Sequence, residues 1–360
     1  MQEILSELNG IAGKVEALEN KRRKLSRFLR DVKDAEIQGE KIPEKKISIP
    51  VEESDMKKKT VCGIDGGLLK KAYHAVDLVL TKSVAVVFEF DGRLKDVRYI
   101  PSSIPTPKLS VFTEPLSKEE FSLAANLERM EMEVGLALDT MKSVDLDLLI
   151  MDGSIVPHPS SNPGEDSDVK QKFDIVRNLY SDILNRPPCM FAGVSEDSRS
   201  RKFSRIVSDD ILERVRSTKK KDLKRILEGT RDTNLLFHVL KQGERTSYFQ
   251  YTDDPSKSCL PKDVIDDVYS FYIKSTEYDR PLRVDFYAED KPAKRADEIS
   301  SIILSLSADN EEYGVPTVLI EADKRARLRE EELRFIYSSL QDKVGDVPSL
   351  YKLRRNSRPF

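Results

Sequence analysis

LLIMDGSIVPHP, residues 148–159, runs four apolar residues into Asp152 and then turns through Gly153 and Ser154. A short apolar run closed by Asp-Gly reads as a buried strand that stops at a turn, because both residues suit tight turns. The same ending occurs in TVCGIDGG, residues 60–67, where the apolar run gives way at Asp65 to Gly66 and Gly67. One such ending is only a turn. If the two strands are neighbours in one sheet, their carboxylates converge, and the carboxyls are then expected within roughly 4 to 6 Å of each other, close enough to share a metal pair.

The segment ahead of Asp152 is a helix by pattern. SKEEFSLAANLERMEMEVGLALDTM opens with a capping box, Ser117 with Glu120, and carries an apolar stripe of Leu123, Leu127, Met130, Val134, Ala137 and Met141. Two acids, Glu131 and Glu133, lie beside that stripe. At ~100° per residue they stand roughly 65° and roughly 95° from its centre, so either can face a neighbouring strand and both remain candidates.

Elsewhere the pattern alternates. AVDLVL and SVAVVFEFDGRL read as strands, the second closing at Asp91-Gly92. The proline-rich run IPSSIPTPKLSVFTEP, residues 100–115, reads as a loop. A helix is expected over 168–186, then the strand CMFAGVS, then helical sequence over 208–230 with the run Lys219, Lys220, Lys221. LLFHVL, SYFQYT, SFYIK and LRVDFYA read as strands, and helices are expected at 293–309 and 321–341. In VPTVLIEADKRARL an apolar strand is expected to give way to Glu321 and Asp323 at a helix start, where acids also complement the dipole. Strands and helices in alternation define an α/β class.

Residues 1–35 place Ile4, Leu8, Ile11, Val15, Leu18, Leu25, Leu29 and Val32 at alternating four- and three-residue steps, broken only by Arg22. This N-terminal amphipathic helical arm can pack on its own domain or bind a partner. Gly10 and Gly13 weaken it as an isolated coiled coil. A charged connector with Pro43 and Pro50 follows, and the tail YKLRRNSRPF is basic and expected to be mobile.

Composition narrows the function classes. The 360 residues are 34% charged and 39% hydrophobic with a formal net charge of −3, so the chain folds and has no global pull on nucleic acid; any such partner meets a local basic surface. Three scattered cysteines, Cys62, Cys189 and Cys259, without a CxxC pair, argue for a reduced compartment and against a thiolate metal site. No apolar run reaches the ~18 residues of a spanning helix, and a cytoplasmic protein without a membrane partner is expected. The histidines show no HxH or HExxH spacing, and neither GxxxxGK[ST] nor GxGxxG is present, which removes zinc hydrolases, P-loop motors and dinucleotide enzymes.

What remains is hard-oxygen chemistry. Paired carboxylates on a rigid sheet suit Mg²⁺ or Mn²⁺, and such ions activate water and stabilise the charge that builds on a phosphate during in-line displacement. Phosphodiester hydrolysis is the natural reaction. GVSEDSRSRK then offers Arg199, Arg201 and Lys202 after a strand, as a candidate phosphate-contacting loop.

In the order of these motifs the chain resembles the NurA family of archaeal and bacterial nucleases. The matching pieces are VCGIDGG, RMEMEV, LLIMDGS, FAGVSEDSRS, LRVDFYA and YGVPTVLIEADKRARL, and together they span about residues 55–340. The resemblance implies a ribonuclease H-like mixed sheet flanked by helices, and a division into an arm and connector (1–50), a nuclease domain (51–341) and a basic tail (342–360). It implies a homodimeric, Mn²⁺-dependent deoxyribonuclease using one or two ions, with Mg²⁺ as the alternative. It also implies single-strand endonuclease and 5′-to-3′ exonuclease activity on single- and double-stranded DNA, with a hexameric HerA-type helicase as partner in end resection and double-strand break repair.

Residue by residue, Asp65 and Asp152 match the family's metal-binding aspartates, and Glu131 or Glu133 its intervening glutamate. Three positions depart from the family's common pattern: Val315 stands before Pro316 where a tyrosine is common, Asp323 stands where a histidine is common, and Gly67 stands where a serine is common. Asp323 can still complete or support a metal site. Two other readings use the same residues: a ribonuclease H-like phosphoryl-transfer enzyme acting on RNA, and a non-catalytic adaptor whose acids merely end strands.

Overall fold

The computed structural model describes residues 2–31, 37, 39–114, 116–212, 220–308 and 311–353. The chain begins with α1 (Gln2–Asp31), β1 (Ile49–Pro50), β2 (Lys57–Ala72), β3 (Asp77–Asp91), β4 (Leu94–Ile100) and β5 (Lys108–Phe112). It continues through α2 (Lys118–Ser143), β6 (Leu148–Asp152), α3 (Lys170–Ile183), β7 (Met190–Ser195), α4 (Lys202–Val207), α5 (Lys220–Glu228) and α6 (Asp232–Val239). The remainder is β8 (Glu244–Arg245), β9 (Phe249–Gln250), α7 (Lys262–Ile265), β10 (Val268–Lys274), β11 (Leu282–Tyr287), α8 (Pro292–Leu306), α9 (Thr317–Ala326) and α10 (Glu330–Val344).

The chain divides into two compact units. One consists of Asp55–Gly193, Thr252–Asp267 and Thr317–Phe360, and it carries every acidic candidate. Its strands follow the order β7-β6-β2-β3-β4, with β5 also paired to β3. The sheet is mixed, since β2 runs antiparallel to β3 and parallel to β6. Val61, Ile64, Leu148, Leu149 and Ile150 are fully buried at that parallel seam, each contributing roughly 1.5–3 kcal/mol. Asp147 pins the register, accepting from Lys59 Nζ and from the backbone N–H of Thr60, both at 2.8 Å.

Helices cover both faces of this sheet. Successive strand residues point to opposite faces, and Gly63 and Gly67 share one of them. A Cβ on Gly63 would stand 2.9 Å from the backbone of Val318, and one on Gly67 would collide with the carbonyl oxygen of Ala326. The two glycines therefore let α9 lie directly on β2. The serine common in the family at position 67 has no room here.

The other unit consists of Met1–Ser54, Val194–Tyr251 and Val268–Pro316. Its strands β1-β8-β10-β11 are all antiparallel, and β9 also pairs β10. The second half of α1 packs in this unit, where Leu25 and Leu29 join Ile206, Leu235, Leu236 and Tyr272 in one apolar cluster. The first half does not: Ile4, Leu8, Ile11, Val15 and Leu18 are 44–59% exposed.

Several elements differ from the sequence reading. β2 does not stop at Asp65 but continues to Ala72, because β3 pairs with it along that length. β3 is one strand where two were expected, and β5 lies within the proline-rich segment read as a loop. LLFHVL is not a strand; it falls mostly within α6, whose Leu235, Leu236 and Val239 are buried, and a short apolar run buried on all sides carries no period to tell helix from strand. For the same reason VPTVLI contains no strand. Val318, Leu319, Ala322 and Ala326 are buried at helical spacing, and Asp323 lies in the second half of α9 rather than at a helix start. Lys219 and residues 354–360 of the tail lie outside the described residues.

Candidate active site

The paired residues of β2 and β6 end at Ile64 opposite Met151. One step further, Asp65 and Asp152 stand side by side on the same face, and their side chains are hydrogen-bonded to each other. Asp65 is buried and Asp152 is exposed where β6 ends. A hydrogen bond between two carboxyl groups needs a proton between them. Burial raises Asp65 above the ordinary carboxylate range; Asp323 adds to the effect, while the Gly66 N–H (2.6 Å), Arg129 and Asp152 oppose it.

Glu133 enters from α2. Gly66 faces the opposite way from Asp65, and its missing side chain leaves the space that the Glu133 carboxylate fills. The sequence left Glu131 and Glu133 undivided, and here they diverge. Glu133 is 3% exposed and comes within electrostatic reach of both aspartates. Glu131 instead pairs with Lys172 of α3, which also binds Glu128 at 2.7 Å. Two residues apart on a helix is about 200° of rotation, so the pair cannot share a neighbour.

Burial pushes the Glu133 carboxyl up to about 8, the negative charges of Asp65 and Asp152 add to this, and Arg129 opposes it. Arg129 Nη1 donates to Glu133 Oε1 at 2.6 Å. This arginine escaped the sequence reading. An Arg/Glu pair at i,i+4 looks like any surface helix pair, and only the burial of Glu133 gives it significance.

Asp323 is exposed on α9, on the face of β2 that carries Asp65, and its charge is felt by Asp65. Glu321, two residues earlier, accepts from Tyr99 Oη at 2.9 Å and Arg325 Nε at 2.7 Å and takes no part. Arg199, Arg201 and Lys202 belong to the other unit, between β7 and the first residue of α4, and Arg201 Nη1 donates to the Glu228 carbonyl at 3.2 Å. Among the described residues, no group of three or more His, Cys, Asp or Glu side chains forms a ready-made metal cage; Glu133 is turned onto Arg129 instead.

The fold and these side chains define an α/β protein with a carboxylate cluster at the end of a parallel strand pair, in a mixed sheet flanked by helices: a ribonuclease H-like architecture. The chain matches the NurA domain over residues 59–328 and belongs to the NurA family, a family of nucleases. The NurA nuclease from Sulfolobus solfataricus superposes with a TM-score of 0.63 at 16% identity, over 97% of this chain and 100% of that one. A NurA crystallised with manganese gives 0.53 at 10%, over 94% and 99%. A NurA bound to dAMP and manganese gives 0.53 at 11%, over 98% and 99%. At such identities these likenesses establish the fold. No curated protein matches the chain, and no helix among the described residues is long and apolar enough to cross a membrane.

Proposed function

We propose that this chain is a metal-dependent DNA nuclease in which Asp65, Asp152 and Glu133 hold one or two Mn²⁺ ions, with Mg²⁺ as the alternative. The observation that carries the reading is the hydrogen-bonded pair Asp65–Asp152 with the buried Glu133 carboxyl beside it. Two buried acids with raised proton affinity, Asp65 and Glu133, and the exposed Asp152 beside them form a hard-oxygen donor set short of positive charge. That fits a divalent cation better than it fits a strand end. A bound ion would supply Lewis acidity and a water of lowered pKa. The relatives crystallised with manganese and with dAMP support the same reading.

The chain's own residues do the rest. Asp65 and Asp152 present oxygens where β6 ends, and Glu133 would have to give up its proton to hold an ion, which would couple binding to pH. Arg129 holds the Glu133 carboxylate in place. Asp323 supports the site from α9, as an acid in place of the family's histidine. We assign Arg199, Arg201 and Lys202 to the phosphate backbone. The activity implied by the family is single-strand endonuclease and 5′-to-3′ exonuclease, by a homodimer working with a HerA-type helicase in end resection, and the exposed apolar seam of α1 is available to such partners.

The test is cleavage of labelled single-stranded DNA, duplex DNA and RNA with Mn²⁺ and with EDTA. DNA cleavage that EDTA stops, and that Asp65→Asn and Asp152→Asn abolish, is the expected result. Cleavage of RNA alone, or Mn²⁺ affinity unchanged in an Asp65→Ala, Asp152→Ala double variant, would overturn it.

A further inference from the structure

Beyond Ile64, β2 has lost its partner β6 and pairs only with β3 over residues 65–72. Its free edge leads from the acids towards a groove of about 550 Å³ whose lining includes Lys71, Tyr73, Arg334, Tyr337 and Lys352. Asp65 and Lys71 are six residues apart, with ~20 Å of strand between them; on the face they share, Gly67 lies under the Ala326 carbonyl and Leu69 packs on the cluster of Tyr73 and Leu333, so the route runs along the strand's edge beyond β6 rather than over that face. Lys71 and Lys352 are exposed and make no ion pair among the described residues. Arg334, its side chain 73% exposed, pairs among the described residues with Glu330 of its own helix at 3.2 Å.

The groove is built rather than incidental. Tyr73 and Tyr337 stack with ring centroids 4.6 Å apart, and Tyr337 Oη donates to the Leu350 carbonyl at 3.0 Å. The backbone N–H groups of His74 and Ala75 donate to the carbonyls of Tyr351 (2.9 Å) and Ser349 (3.0 Å), and Lys352 bridges Tyr73. These bonds hold the last described segment across the end of β2, so that Lys352 stands near Lys71.

We propose that this groove binds the phosphodiester backbone of a single DNA strand whose other end lies at the acids. The proposal rests on the nuclease reading and adds the path of its substrate. At 3.4 Å per stacked nucleotide, ~20 Å spans about six nucleotides, so a strand must reach that length to touch both places. A net cationic surface on a fixed scaffold favours a polyanion over an apolar or cationic partner.

The test is fluorescence anisotropy in EDTA, where nothing is cut, with a strand of about twenty nucleotides and with a trinucleotide. Lys71→Glu with Lys352→Glu is expected to weaken the longer strand roughly tenfold and to lower the salt slope by about 1.4, at ~0.7 per lost phosphate contact. The trinucleotide, too short to touch both places, should bind more weakly than the longer strand in the wild type. Lys71→Gln with Lys352→Gln should give the same slope with a smaller loss, which separates contact loss from misfolding. Wild-type affinity and slope in both pairs, or binding of duplex alone, overturns the groove. A protein that binds through the groove yet cuts nothing with Mn²⁺ refutes the nuclease reading and leaves the groove standing, while one that cuts DNA with both lysines dispensable does the reverse.

Discussion

The carboxylate of Glu133 fills the space that a side chain on residue 66 would occupy, so α2 delivers an acid to β2 through a gap in the strand's own side chains. Gly66→Ala should therefore push Glu133 away from Asp65 and Asp152. We expect a stability loss of about 1–3 kcal/mol from overpacking and a fall in Mn²⁺-dependent cleavage of at least about tenfold. Adding Glu133→Ala should remove the stability penalty while leaving cleavage lost. A melting double-mutant cycle reads the coupling, and additive effects would show that the two positions do not compete for space.

The raised affinity of Glu133 for its proton makes the metal-free protein pH-sensitive. Its folded value, about 8, lies above the ordinary 4.5. The folded state therefore binds a proton that the unfolded chain releases. The associated stability is fully present below about pH 4.5 and is lost as pH rises through about 8, at about 1.4 kcal/mol per pH unit. Urea unfolding in EDTA should show wild type losing stability relative to Glu133→Gln between about pH 5 and about pH 8. Mn²⁺ should flatten the difference by favouring the ionised acid. A pH-independent difference between the two proteins would refute the burial argument.

Arg129 holds Glu133 closer to ionisation than burial alone would allow. Replacing it with methionine should move the acidic limb of the pH–rate profile up by on the order of one unit. Arg129→Lys, which keeps the charge, should shift it much less. A profile that stays in place for methionine while activity falls uniformly would indicate that Arg129 only packs.

Asp65 and Asp152 were readable because each closes an apolar run that the sheet buries, and the strand period keeps neighbouring acids on one face. Glu133 was readable only as one of two. Its place is fixed by Gly66, which lies 67 residues away in sequence, and no helical wheel contains that contact. Asp323 was found as a residue but misplaced in its element, because VPTVLI is too short and too buried to show its period. The role of Gly67 was open to inversion: read alone it is a lost hydroxyl, and in the fold it is the space that lets the Ala326 carbonyl approach.

The separation of Glu131 from Glu133 gives the most direct test of the site. Glu131 faces Lys172, a pair with both side chains part exposed, and such pairs contribute about 0–1 kcal/mol. Glu131→Gln should thus cost at most about 1 kcal/mol and leave Mn²⁺ affinity and cleavage within about twofold of wild type. Glu133→Gln should stabilise the metal-free protein above about pH 7, since it removes a buried acid, yet reduce cleavage by at least about a hundredfold, because loss of the proposed ligand would exceed the 10–100-fold typical of outer-shell groups. Calorimetric Mn²⁺ titration with cleavage rates on one oligonucleotide reads both. A protein that tolerates Glu133→Gln and fails with Glu131→Gln would place the metal on the α3 side of the helix, away from Asp65 and Asp152.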